Sequence, residues 1–218
     1  MNQVTAIIIH YRRQSNIPHI VGAIMEQTVP ADIWIWDNQN VFTEINGVTL
    51  FSSSKNFVCR PRFILAGMVQ TPYVFNCDDD HIVKDKQLFE KMIALSKEKP
   101  DCFWGWPARK EYNNSPQRDA EGIPADLVNT GISFYPTRLI NKIMANPYIN
   151  DSDKFQMTEE EYRYADDHWI SAQLPLKIAH PTLEAGIGKM YDHGVALSRD
   201  PRHIPIREAA ARKFWGNA

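Results

Sequence analysis

Tyr73-Val74-Phe75-Asn76-Cys77-Asp78-Asp79-Asp80 is an apolar run that ends directly on three adjacent carboxylates. Aromatic and β-branched residues bounded by an acidic turn predict a buried strand. Neighbouring carboxylates repel one another, at a cost that solvent or a cation must offset. The triplet is therefore either a solvated Asp-rich turn or a ligand set for a hard divalent ion. Such ions take oxygen donors and often bridge substrate phosphates.

The chain on the N-terminal side repeats the pattern of a strand that stops on polar groups. Val4 to Ile9 is a β-branched strand followed by the polar loop His10 to Gln14. Ile33 to Trp36 is a second strand, stopping at Asp37-Asn38, and Val48 to Phe51 is a third. Between the first two, Ser15 or Asn16 caps a helix with Pro18 in its first turn, running to about Gln27. Phe63 to Val69 reads as a helix packed on a sheet. Gln87 to Lys97 is amphipathic, with Leu88, Met92 and Leu95 on one face. This alternation up to residue 98 predicts an α/β fold with a mostly parallel sheet covered by helices. Ligands of such sheets bind at the carboxyl ends of the strands. Asp37, the acidic triplet and the Tyr11-Arg12-Arg13 loop should then converge on one edge.

The second half is less regular. Phe103 to Trp106 and Asn129 to Tyr135 read as strands, Arg138 to Ala145 as a helix, and Lys110 to Pro124 as a loop. Seven acids fall between Asp151 and Asp167, ending on Asp166-Asp167 at the start of a helix toward Leu174. That pair is either a helix N-cap with a favourable dipole interaction or a carboxylate pair available for proton transfer, and both can hold at once. Trp104 reads as core. Beyond Arg199 the chain turns basic, so charge is segregated along it. The tail is a solvated helix or a segment recruited to phosphates. His193 follows Tyr191-Asp192 near the end and is a satisfied surface or core histidine, or a group completing a metal site.

Composition narrows the function classes. The 218 residues fit one large domain or two small ones, and 44% hydrophobic with 23% charged residues is ordinary for a folded protein. Lys plus Arg is 24 against 26 Asp plus Glu, a formal charge of −2, so the broad basic field of a nucleic-acid binder is missing. The cysteines Cys59, Cys77 and Cys102 form no CxxC pair, and a reducing compartment is expected. The longest apolar run near the start, Val4 to Ile9, is far too short for a membrane span or signal peptide. The expectation is a cytoplasmic protein, or one domain of a longer polypeptide.

These residues resemble a family. Ala6-Ile-Ile-Ile-His-Tyr-Arg-Arg13, Gln27-Thr28, Ile33-Trp-Ile-Trp-Asp-Asn38, the segment Asn56 to Asp80 and Tyr164-Ala-Asp-Asp-His-Trp169 are similar to the blocks of GT-A nucleotide-sugar glycosyltransferases. The family-2-like, inverting group is the one resembled, including the glycosyltransferase domains of chlorella-virus capsid-glycan enzymes. The resemblance covers most of the chain and is more specific in its first half. It implies a single GT-A (Rossmann-like) domain over 1–218, with a nucleotide-binding half (1–100), an acceptor-binding half (101–198) and a basic C-terminal segment (199–218). It implies a UDP-sugar donor, a glycan acceptor, no nucleic acid, and Mn²⁺ or Mg²⁺ as cofactor. Asp80 would ligate the metal with His193. Asp78 and Asp79 would reach the ribose, the sugar or the metal through water. His10, Tyr11, Arg13, Asp37 and Arg60 complete the implied nucleotide-sugar set, with Tyr11 stacking on the base and Asp37 hydrogen-bonding it. Asp167 would be the general base, with Asp166 and Trp106 on the acceptor. The family often has a less polar residue in the middle of its DXD motif, where this chain has Asp79, which leaves open which acids touch the metal.

Three other readings compete. A sugar-phosphate nucleotidyltransferase shares the sheet and the metal chemistry but usually has a Gly-rich loop after its first strand, and His10 to Asn16 contains no Gly. A two-metal nuclease could use both acidic clusters but lacks a basic face. A non-catalytic carbohydrate-binding domain would be unusual on such a scaffold.

Overall fold

The structure is a computed structural model, described for residues 1–109, 124–144, 157–190 and 196–215. Its centre is β1 (Val4–His10), all seven residues of which are buried. Parallel strands flank β1 on both sides and helices cover both faces, so a continuous β-branched run is the composition this position demands. Each fully buried Ile or Val there contributes about 1.5–3 kcal/mol.

On one side of β1 lie β2 (Ala31–Asp37) and β3 (Val48–Ser52), and on the other β4 (Tyr73–Asp78), all parallel. The sheet continues through β9 (Ile132–Pro136) and β6 (Cys102–Gly105) to β10 (Leu176–Ile178), in the order β10-β6-β9-β4-β1-β2-β3, while β7 (Ala108–Arg109) and β8 (Leu127–Val128) pair with each other apart from it. Strand β9 runs antiparallel to both of its neighbours. It therefore begins on the edge where β1, β2 and β4 end, and the turn before it enters the functional edge. The register sets His10 beside Asp37 and Ile9 beside Asp78. The expected convergence of strand tips is thus fixed by pairing, and the fold is the mostly parallel α/β sheet read from the sequence, with β9 as its antiparallel member.

Helices α1 (Ile17–Met25) and α3 (Leu88–Glu98) occur where periodicity predicts them. The expected 63–69 helix is α2 (Pro61–Ala66), shifted toward its N-terminus because Pro61 fits the first turn. α4 (Thr137–Met144) follows β9. α5 (Glu159–Tyr164) opens with a capping box between Thr158 and Glu161, and α6 (Asp166–Gln173) begins at the acidic pair. α7 (Pro181–Gly186) leads into β11 (Ile187–Lys189), which pairs with β5 (His81–Val83) directly after the triplet. The C-terminal α8 (His203–Trp215) packs on α5 and α6.

Two side-chain layers hold the sheet, one centred on Ile8, Ile20, Phe75 and Phe89, the other on Ile7, Phe103, Tyr135 and Ile170. Trp104 is core, with its indole Nε1 donating to Ser96 Oγ at 3.0 Å. Among the described residues no helix is long and apolar enough to cross a membrane.

Candidate active site

Two clefts meet at the tip of β4. One, of about 390 Å³, is lined by Tyr11, Arg12 and Arg13, by Asn38, Asn56 and Val58, and by the triplet. The other, of about 800 Å³, is lined by Arg62, Asn129 to Gly131, Asp166, Asp167 and Arg207, among others. Asp78, Asp80, Cys59, Arg163 and Ala196 belong to both walls.

The three acids face different ways. Asp79 is 2% exposed and turns inward. Its carboxylate accepts from Tyr11 N at 2.6 Å and from Arg13, and its carbonyl accepts from Asn16 Nδ2. Burial pushes the Asp79 carboxyl up to about 7, against the pull of Arg13 and the Tyr11 N–H. Asp79 thus anchors the loop after β1 and commits its carboxylate to the protein rather than to a ligand. Asp80 stays partly exposed, with Arg13 at 3.1 Å and His81 Nδ1 at 2.7 Å. Against burial, His81 and Arg13 hold Asp80 below its ordinary value. Asp78 is the most exposed of the three and is met by Arg62 Nη2 at 2.6 Å.

Asp78 and Asp80 thus present hard oxygen donors where the clefts meet. His81 Nδ1 lies 2.7 Å from Asp80 Oδ1, and with the proton on Nδ1 the other ring nitrogen, Nε2, keeps its lone pair. This donor chemistry fits a divalent ion. Among the described residues no three such groups are drawn together as a metal cluster. His193, the other expected ligand, lies outside the described residues. Strand β11 brings the chain back to the triplet, with Lys189 opposite His81 and Met190 N donating to Asp80 O at 2.7 Å.

Asp37 and His10 do not reach the cleft surface, which corrects their expected contact with the donor. Both are fully buried. His10 Nδ1 lies 2.9 Å from Asp37 Oδ1, and Asp37 also accepts from Gln39 N, Val41 N and Phe42 N. Every acceptor position faces a partner from the protein, so the base of a nucleotide has no place on it. Against burial, these donors hold Asp37 below its ordinary value, and burial lowers His10. The pair shapes the turn from which Asn38 projects into the cleft. Trp106 is partly buried against both hydrophobic layers and lines neither cleft, another departure from expectation. Arg60 is exposed and faces a separate side cleft.

The residue the sequence reading missed there is Arg62. It is 1% exposed, donates to Thr130 Oγ1 at 2.9 Å and to Asp78 at 2.6 Å, and its Nε lies 3.9 Å from Asp166 Oδ2. A signal existed: Arg62, Leu65, Ala66 and Val69 follow helical spacing and share one buried side, an unusual place for arginine.

The acidic pair on α6 divides in two. Asp167 is gripped by Arg207 through two hydrogen bonds of 2.8 Å, and His168 adds its backbone N–H and ring. Against burial, Arg207 and His168 hold it well below the usual carboxylate range. Among the described residues Asp166 meets Thr130 Oγ1 at 3.1 Å and the more distant Arg62, and its side chain keeps 13% exposure in the larger cleft. Burial, with the Asp167 and Asp78 charges, raises Asp166 above its ordinary value.

The basic tail is largely neutralised within the protein. Arg202 pairs with Asp200 and Glu160, Arg207 with Asp167, and Lys213 with Glu161. Arg202–Glu160, Arg207–Asp167 and Lys213–Glu161 thus tie the basic stretch to the acidic one, and Ala196 and Asp200 form part of the smaller cleft's wall. Gly131 permits a close approach, since a Cβ there would collide with the Asp78 carboxylate.

Sheet order and cleft position define a GT-A-like fold. No family model and no curated protein matches the chain. Solved structures do resemble it. TarS 1–349 of S. aureus is 12% identical at a TM-score of 0.53, covering 82% of this chain and 58% of that one. The mannosyltransferase PcManGT from Pyrobaculum calidifontis, in complex with GDP-Man and Mn²⁺, is also 12% identical at a TM-score of 0.53, covering 97% of this chain and 69% of that one. The chain thus spans less than two thirds of the length of the TarS structure.

Proposed function

We propose that the chain is a metal-dependent, inverting glycosyltransferase that moves a sugar from a UDP-sugar to a hydroxyl of a glycan acceptor. The observation that carries this is the meeting of the two clefts at Asp78 and Asp80, with a second, separately held carboxylate in the larger cleft. The smaller cleft takes the nucleotide, with Tyr11 beside the base and Arg12 and Arg13 nearby. The mannosyltransferase neighbour is described with a nucleotide sugar and Mn²⁺, which supports the same class of donor here.

Asp80 and Asp78, with His81 or His193, would hold Mn²⁺ or Mg²⁺, which supplies positive charge at the leaving diphosphate. The protein's own groups do the rest. The acceptor hydroxyl in the larger cleft attacks the anomeric carbon. The new C–O bond forms as the bond to the β-phosphate oxygen breaks, and that electron pair leaves with UDP. The hydroxyl proton passes to a carboxylate. Asp166 suits this role better than Asp167, because both Asp167 oxygens are committed to Arg207 and its low proton affinity makes it a poor base. Asp167 then positions Asp166 by pinning the first turn of α6.

Arg62 sits between the two acidic clusters, which separates them electrostatically and disfavours a shared two-metal nuclease centre. Titration of the protein with UDP and with GDP, each with and without Mn²⁺, tests the donor assignment. Metal-dependent UDP binding is expected. Metal-independent binding, or a preference for GDP, would overturn the UDP assignment.

A further inference from the structure

A side cleft of about 390 Å³ opens on the flank of the donor cleft and shares Asn56, Val58 and Arg163 with it. Among the described residues, Lys55, Arg60 and Arg163 line it against one acid, Glu159. Lys55 and Glu159 are 3.8 Å apart with side chains 69% and 91% exposed, an ion pair that solvent reduces to little. The donor cleft and the larger cleft have nearly balanced charges along their walls. The side cleft does not, on a chain whose formal charge is −2.

The loop that carries these cations is held in one shape. Ser53 Oγ and the Lys55 backbone bond each other, and Asn56 Oδ1 accepts from Val58 N at 2.8 Å. From the tip of β2, Asn38 accepts from Phe57 N at 2.8 Å and donates to Val58 O at 3.1 Å. Val58 has φ 57°, a conformation that a β-branched residue adopts only where its surroundings impose it. The Phe57 ring remains 37% exposed, with Lys55 Nζ 5.7 Å from its centroid. An aromatic face beside a cluster of cations on a rigid loop suits a sugar ring bearing an anionic group.

We propose that this side cleft is a subsite for an acidic saccharide, so that the glycan acceptor carries carboxylate or phosphate groups. Its sugar ring rests on Phe57 and its anionic group lies among Lys55, Arg60 and Arg163. The link to an acceptor rests on the transferase reading. The same anionic chemistry could belong to the donor, and competition separates the two sources.

The test uses the full chain, a short oligogalacturonate as acidic probe and a maltooligosaccharide of equal length as neutral control. Binding is followed by calorimetry at low and high salt, with and without saturating UDP and Mn²⁺. The acidic probe should bind, weaken as salt is added, and stay bound beside the nucleotide. Lys55→Glu, at an exposed position, should weaken it about tenfold and leave UDP affinity unchanged. Equal binding of the neutral probe, normal acidic-probe binding by Lys55→Glu, or displacement by UDP would overturn the proposal. If UDP and Mn²⁺ fail to bind while the acidic probe binds and responds to Lys55→Glu, the transferase reading falls and the subsite stands.

Discussion

Arg62 joins Asp78 to Asp166: its Nη2 lies 2.6 Å from Asp78 Oδ1 and its Nε 3.9 Å from Asp166 Oδ2. One buried cation therefore serves an acid of the proposed leaving-group side and the acid of the proposed nucleophile side. Arg62→Met should cost about 3–5 kcal/mol, because it strands two partly buried carboxylates without a counter-charge. Arg62→Lys should recover only part of the loss, since a point charge cannot meet Asp78 and Thr130 in the guanidinium's fixed geometry. Denaturant unfolding of both variants checks the order wild type, Lys, Met.

The Asp167–Arg207 pair gives stability a defined dependence on pH. Asp167 is depressed below its ordinary value of 3.8 in the folded state, so its contribution is present above that value and is lost as pH falls toward the folded value. Arg207→Met should be strongly destabilised at neutral pH, by about 3–5 kcal/mol. Its deficit relative to wild type should shrink below pH 3.8. Thermal unfolding across that range would show this convergence. A constant deficit at every pH would mean that the pair contributes through packing alone.

Asp37→Asn separates an internal role from a donor-binding one. The amide keeps one acceptor oxygen but turns a donor toward backbone N–H groups that now face a carboxylate. Each stranded group costs about 1–3 kcal/mol. Loss of stability with faster hydrogen exchange at 39–42 is expected. Undiminished stability with weakened nucleotide binding would restore Asp37 to the donor site.

Much of the fold was legible because its signals are local. The β-branched run at β1 and the strands ending at Asp37 and Asp78 carry their burial in their composition, and the parallel order of the first half follows from their alternation with helices. The antiparallel insertion of β9 was not legible, because it depends on pairing between segments about sixty residues apart. The short strands β5 and β11, whose pairing brings the chain back to the triplet, have too few residues to show a period. Within the site, the tips of β1 and β4 were found by sequence, while the inward turn of Asp37 and Asp79 was not. A carboxylate at a strand end reads the same whether it faces solvent or its own loop. Arg207 offered no signal, since its partner lies forty positions away and α8 is a weakly patterned helix.

The most direct test of the central claim measures UDP release from a panel of UDP-sugars with Mn²⁺ and a panel of acidic and neutral oligosaccharide acceptors, alongside UDP affinity, for wild type, Asp166→Asn and Asp167→Asn. The wild-type chain should turn over at least one donor. Asp166→Asn should lose at least about 100-fold in turnover with UDP affinity retained, as expected when a general base is removed. Asp167→Asn should lose stability together with rate, as expected of a residue that positions α6 through Arg207. Wild-type turnover in Asp166→Asn, or no metal-dependent turnover of any UDP-sugar by the wild-type chain, would contradict the account.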